Sequence, residues 1–131
     1  MEFTIQTSQR EECVDIHSNI QDIVDKSGVR DGVAIVYVVH ATDAIIINEN
    51  ADSNIQDDLI VALGKLVPQG VWKHDKLDGN GDAHIKASIL GPSETMFVKD
   101  GKLVLGTWQS PMLVELDGPR ERKIIVSILK Q

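Results

Sequence analysis

At 131 residues, the chain is long enough to bury a core in one domain. Its 42% hydrophobic and 25% charged residues exclude a disordered polymer, and its net charge of −7 argues against non-specific nucleic-acid binding, which needs a clustered cationic face. A single cysteine, Cys13, allows no intrachain disulfide and reads as a small apolar residue rather than a nucleophile.

The N-terminal stretch MEFTIQTSQREE lacks a basic start followed by an apolar run, so no signal peptide is expected. No apolar segment approaches the ~20 residues that span a bilayer, which makes a cytoplasmic protein without membrane contact the expectation. Glu2–Thr7 alternates, with Phe3 and Ile5 on one face of a half-exposed strand. Ile16, Ile20, Ile23 and Val24 then recur at helical spacing, which predicts a helix over Ser18–Ser27 with Ser18 as its cap and Gly28 after its last turn. His17 stands at its entry.

Between Gly32 and Asp52, two apolar runs, Val33–Val39 and Ala44–Ile47, are separated by His40-Ala41-Thr42-Asp43. The first reads as a buried strand ending at His40. The break is too short for a parallel crossover, so the second run is expected to return antiparallel, buried on both faces through Ile45-Ile46-Ile47. A histidine closes one run and Asn48-Glu49 the other, which marks both ends as candidate site positions. Ile55, Leu59, Ala62, Leu63 and Leu66 predict a helix over Ser53–Leu66, capped by Asp52 or Ser53 and ended by Pro68 and Gly70. Val71–Asp82 is a polar loop carrying His74, Asp75, Asp78 and Asn80. Ala83–Leu90 reads as a closely packed helix with His84 and Ser88 on one face.

The last third reads as β. Glu94–Val98 and Leu103–Trp108 flank Lys99-Asp100-Gly101-Lys102, a strong hairpin signal. Met112–Leu116 and Lys123–Leu129 flank a second turn at Asp117-Gly118-Pro119-Arg120. The predicted class is a single α+β domain over residues 1–131, with about seven strands in a mostly antiparallel core and about three helices.

Imidazoles at His40, His74 and His84 can bind a divalent metal, Mg or Zn, or exchange protons near neutral pH. Their spacings of 34 and 10 residues match no compact zinc signature. Glu49 and Asp52 can act as base or metal carboxylates, or simply complement the dipole of the helix that follows. Arg120 offers a planar fork suited to phosphate or carboxylate, or to an ion pair with Asp117 or Glu121. Trp108 can line a pocket or belong to the core or an interface. There is no glycine-rich phosphate loop, no serine nucleophile elbow and no CxxC pair.

Taken together, these segments carry a resemblance. His40-x-Thr42, Asn48-Glu49-x-x-Asp52, Asp58-Leu59, Leu66-Val67-Pro68 and His74 are followed by Asn80-x-x-Ala83-His84-Ile85-x-Ala87 and Gly91-x-Ser93. Gly101-x-Leu103-x-Leu105-Gly106-x-Trp108-Gln109 and Glu115-x-Asp117-Gly118-Pro119-Arg120-x-Arg122 complete the set. In these runs, from about Gly28 to the C-terminus, the chain resembles the secondary thiamine-phosphate synthase family, also called the YjbQ-like family. The resemblance implies an α+β fold with a compact β core, assembled as a homotrimer. It also implies an activity, secondary in character, that joins a pyrimidine diphosphate to a thiazole phosphate with loss of pyrophosphate.

The roles that follow are His40, Glu49, His84 and Arg120 as catalytic groups, and Thr42, Asn48, Asn80, Lys86 and Trp108 as contacts to a small phosphorylated metabolite. His40, His74 and His84 are the metal candidates. The alternative is a non-catalytic module holding a metal or an anionic metabolite. In one place this chain departs from the family: where His-Thr-Thr-Ala is usual, it reads His40-Ala41-Thr42-Asp43, losing a hydroxyl and gaining a carboxylate.

Overall fold

The computed structural model describes Met1–Gln131 as eight strands and three helices. In chain order these are β1 (Glu2–Gln6), β2 (Glu12–Asp15), α1 (His17–Ser27), β3 (Gly32–Val38), β4 (Asp43–Glu49), α2 (Ser53–Leu66), α3 (Gly81–Leu90), β5 (Ser93–Lys99), β6 (Lys102–Leu103), β7 (Gln109–Glu115) and β8 (Glu121–Lys130). A short 3₁₀ turn, Lys73–Lys76, lies in the polar loop before α3. The strands form two sheets, one ordered β1-β8-β3-β5-β6 and the other β2-β7-β4, and every neighbouring pair is antiparallel. The expected α+β class is therefore present. No helix is long and apolar enough to cross a membrane.

The main core lies between the two sheets and α1. Alternate residues of β3 (Ala34, Val36, Val38) and β8 (Ile124, Val126) meet Ile45 of β4, Leu113 of β7 and the Ile16, Ile20, Ile23 and Val24 stripe of α1. Burying each larger side chain stabilises the fold by roughly 1.5–3 kcal/mol relative to exposure. On the other face of the three-stranded sheet, Ala44 and Val114 pack against Ala83 and Ala87 of α3. Small residues there let α3 lie close to the strands.

The helices fall close to their predicted bounds. α1 starts one residue early at His17, and Ser18 does not cap it; the His17 N–H donates instead to Asp15 Oδ1 at 2.8 Å. Gly28 closes α1 in the left-handed region at φ 70°. α2 spans the predicted residues, with Asp52 Oδ1 accepting from Asn54 N–H at 2.9 Å.

The strand pairings differ more. β2 was not anticipated from the sequence. β3 and β4 do not pair as the expected antiparallel return; they belong to different sheets, so His40–Thr42 carries the chain from one sheet to the other. Asp117–Arg120 likewise crosses from β7 to β8 instead of closing a hairpin, and its Gly118–Pro119 peptide bond is cis. Gly118 sits where a Cβ would meet the Gln9 carbonyl at 2.3 Å, so only glycine fits. The Asp100-Gly101 hairpin forms as expected, with φ of 51° and 75°, but its second strand stops at Leu103 and leaves Trp108 exposed in a turn.

Candidate functional site

The two sheet-to-sheet crossovers end on the same side of the molecule, beside the N-terminal end of α3. Together they wall an open cleft of about 550 Å³ lined by His40, Thr42, Asn80, His84, Arg120 and Arg122, with Ala41, Asp117 and Glu121 between them.

His40 is held by its backbone surroundings. Its Nε2 accepts from the Lys123 N–H at 2.9 Å, so in the neutral ring Nδ1 carries the proton. Burial, and then the nearby Arg122 charge, hold this imidazole below its usual pKa. Asn80 precedes α3 and is almost wholly buried; its Nδ2 donates to Asp117 Oδ2 at 2.8 Å, while its Oδ1 has no partner. His84 follows one turn later, with its ring edge-to-face against His74 at a centroid separation of 4.7 Å. His74 itself faces Asp78, Nε2 to Oδ2 at 3.5 Å, and does not line the cleft.

Arg120 is both of the things its sequence context allowed. Its Nε donates to the Asp117 carbonyl at 2.9 Å and its Nη2 to Asp117 Oδ2 at 3.3 Å, yet the side chain is 58% exposed at the mouth of the cleft. Thr7 of the segment after β1 pins this crossover, donating its N–H to the Arg120 carbonyl and accepting the Arg120 N–H at Oγ1, each at 2.9 Å.

Behind Arg120 lies a polar layer that sequence reasoning missed. Asp43 of β4 and Glu115 of β7 are directly opposed across the three-stranded sheet, on its inward face. Between them from β8 comes Arg122, an inward-facing neighbour of Ile124 and Val126. Its Nε and Nη2 donate to Glu115 Oε2 and Oε1 at 2.7 and 2.5 Å, and Nη2 also donates to Thr42 Oγ1 at 2.8 Å. Asp43 Oδ1 is 2.8 Å from that Nη2, but neither Asp43 oxygen accepts a well-aligned hydrogen bond.

Two opposed carboxyls in a dry layer with one guanidinium cannot both ionise cheaply. Burial first, and then the Glu115 charge, push the Asp43 carboxyl up to about 9. Burial also pushes Glu115 upward, but the hydrogen bonds from Arg122 more than reverse this and hold it below the usual carboxylate range. The signal available in the sequence was the alternation of β8, which puts Arg122 on the face of Ile124, and a carboxylate opening an otherwise apolar strand.

The remaining sequence candidates lie elsewhere. Asn48 and Glu49 line a separate pocket of about 250 Å³ under α2, with Cys13, Ile46, Leu59 and Met112, because β4 carries its two ends to different places. Lys86 is sealed in an ion cluster, its Nζ donating to Asp82 at 2.9 Å and Glu11 at 3.2 Å, because its turn of α3 faces the sheet and not the cleft. Trp108 is far out in its turn, 64% exposed. Thus His40, Thr42, Asn80, His84 and Arg120 are brought together, whereas Asn48, Glu49, Lys86, His74 and Trp108 are not part of that lining. Nor do His40, His74 and His84 form a metal set within one chain: no three His, Cys, Asp or Glu side chains converge on a common point.

The comparisons agree along the whole chain. The family described as UPF0047 protein YjbQ-like matches residues 1–131. The chain is 47% identical to a UPF0047 protein of Methanocaldococcus jannaschii over 127 residues, covering 97% of this chain and 91% of the relative. It is 35% identical to the UPF0047 protein YugU of Bacillus subtilis over 128 residues, covering 95% of each. Among solved structures, a YbjQ-like protein of unknown function from Sulfolobus solfataricus superposes with a TM-score of 0.95 at 40% identity, covering 100% of this chain and 96% of that one. A YjbQ/UPF0047 protein of Clostridium acetobutylicum gives 0.94 at 45% identity, covering 98% and 99%. The chain belongs to the YjbQ-like UPF0047 family.

Proposed function

We propose that the cleft binds a small phosphorylated metabolite and that the protein is a transferase joining a pyrimidine diphosphate to a thiazole phosphate, giving thiamine phosphate. One observation carries this reading: in a chain of net charge −7, two guanidinium groups and two imidazoles line a single open cleft, beside the carboxylates of Asp117 and Glu121. Such a concentration of donors suits an anion whose charge grows during reaction.

In this reaction the carbon–oxygen bond to the diphosphate breaks, and its electron pair leaves with pyrophosphate. The thiazole nitrogen forms the new bond to the freed methylene carbon. Arg120, exposed and braced by Asp117, stabilises the negative charge that collects on the leaving oxygens. His84, at the cleft wall, protonates them, and His40 presents its Nδ1–H as a further fixed donor. A divalent metal held by the substrate's phosphates would neutralise the same leaving oxygens, so the assay is run both with and without Mg²⁺ or Zn²⁺. A homotrimer in the cytoplasm is the proposed working form.

Purified protein given both substrates should release pyrophosphate and form thiamine phosphate, each measured by chromatography. Arg120→Ala and His84→Ala should each lower turnover by about a hundredfold. Absent turnover, or turnover that survives loss of both side chains, contradicts the transferase. Stabilisation by pyrophosphate without product supports the binding module instead.

A further inference from the structure

The Asp43–Glu115–Arg122 layer is the largest buried polar cluster that the transferase reading leaves without a task. All three side chains are at most 4% exposed, and they come from three different strands. Arg122 uses Nε and Nη2 on Glu115 and Thr42, and its Nη2 also lies against Asp43. Its remaining nitrogen, Nη1, makes no hydrogen bond within the chain. Unlike the oxygens of Asp43, Nη1 is not sealed from the surface, and the guanidinium forms part of the cleft wall. With Nε and Nη2 fixed by Glu115 and Thr42, the guanidinium has Nη1 alone left to meet an anion, and it does so without losing rotamer freedom on binding.

We propose that Arg122 is a second, rigid anion-binding group of the cleft, and that Asp43 is its positioning residue, sharing one proton with Glu115 so that the charge behind the guanidinium stays at a single negative. The inference rests on the reading of the cleft as a phosphate-ester site and deepens it. With one proton on the carboxyl pair, Glu115 balances Arg122 and Nη1 retains its attraction for a bound phosphate. Loss of that proton places a second negative charge directly behind the anion site, in a layer from which water is excluded.

Burial and the groups facing Asp43 set the direction of this coupling. Burial first, then Glu115 from β7 and Asp117 from the crossover, favour its neutral form, whereas Arg122 from β8 favours ionisation. Burial together with Glu115, directly opposite across the ladder, outweighs Arg122. The neutral acid can donate to Glu115, which also accepts from Arg122 and from the Asp117 N–H at 3.1 Å. Anion binding is then linked to retention of one buried proton. Asp43→Asn keeps a neutral side chain of the same shape that still donates to Glu115 but cannot ionise, and Asp43→Ala removes the group.

The test is isothermal titration with inorganic pyrophosphate across pH 7.5–10, on wild type, Asp43→Asn and Asp43→Ala, with circular dichroism at each pH to confirm folding. At pH 7.5, wild type and Asp43→Asn should bind within a factor of about two to three of each other. Between pH 7.5 and 10, wild-type affinity should fall about tenfold more than that of either variant, the excess loss centred near the Asp43 titration. Arg122→Gln, checked for folding in the same way, should weaken binding at pH 7.5 by at least about tenfold. Pyrophosphate that binds at pH 7.5 with the same pH profile in all three proteins overturns the role of Asp43 while leaving the cleft intact as an anion site. Binding unchanged in folded Arg122→Gln overturns the role of Arg122. No binding at any pH overturns both this inference and the reading it rests on.

Discussion

Lys86 shows how much a single residue's meaning depends on which way its helix turn faces. Read along the chain, a lysine two residues after His84 is a natural phosphate ligand; in the fold it is 2% exposed and neutralises Asp82, which is wholly buried and also holds Arg10 at 3.1 Å. Burial alone would raise the Asp82 carboxyl, but hydrogen bonds from Lys86 and Arg10 outweigh it and hold it below its ordinary range. A depressed folded pKa contributes stability that is present above the unfolded value and lost as pH falls through the folded one. Lys86→Ala should therefore cost about 1–3 kcal/mol at pH 7, because it removes one of the two cations that pair the buried Asp82 carboxylate and leaves only Arg10. Its deficit should shrink on acidification below about pH 4, where the carboxyl becomes protonated in the unfolded chain. Urea denaturation at pH 7 and pH 3.5 measures both values. A variant with native stability but weakened pyrophosphate binding would return Lys86 to the cleft.

At the scale of elements, the five-stranded sheet carries an unpartnered face. Val33, Ile35 and Tyr37 of β3 are in register with Phe97 of β5 and with Leu129 and Ile125 of β8, on the side opposite the core. Phe97 and Leu129 are at least half exposed, and Tyr37 and Ile125 only slightly less. This apolar strip, with Thr95 and Ser127 beside Ile35, is the face on which the proposed homotrimer would be built. Phe97→Asp should convert the assembly to monomers in light scattering coupled to gel filtration, with little change in unfolding of the isolated chain. A monomeric wild type would remove the trimer.

The same elements explain what could and could not be read beforehand. Helical periodicity located α1 and α2, and the small residues Ala83 and Ala87 located α3, because those signals are local: Ile16–Val24 is a stripe whatever it packs on. Strand partners are not local. The turn chemistry of His40–Asp43 and of Asp117–Arg120 specifies that the chain bends, not whether the next strand joins the same sheet, so both crossovers read as returns. The cleft between them was legible as residue types, through His40, Thr42, Asn80, His84 and Arg120. Asp43 and Arg122 were not, because their pairing exists only once β4, β7 and β8 are assembled.

In the whole molecule, the cleft is a consequence of architecture. Two sheets packed over one core must exchange chain at their ends, and two of those exchanges here deliver donors to one place beside α3. The separation of Asn48 and Glu49 into another pocket, at the opposite end of β4 from Asp43, leaves Arg120, Arg122, His40 and His84 together at this end, with Asp117 and Glu121 among them. A crystal of the protein soaked in pyrophosphate should show the anion in this cleft, with oxygens about 2.7–3.2 Å from Arg120 and from Arg122 Nη1 and with His84 alongside. Pyrophosphate bound elsewhere, or a cleft still empty at a concentration that saturates binding in solution, would contradict the assignment of this cleft as the site.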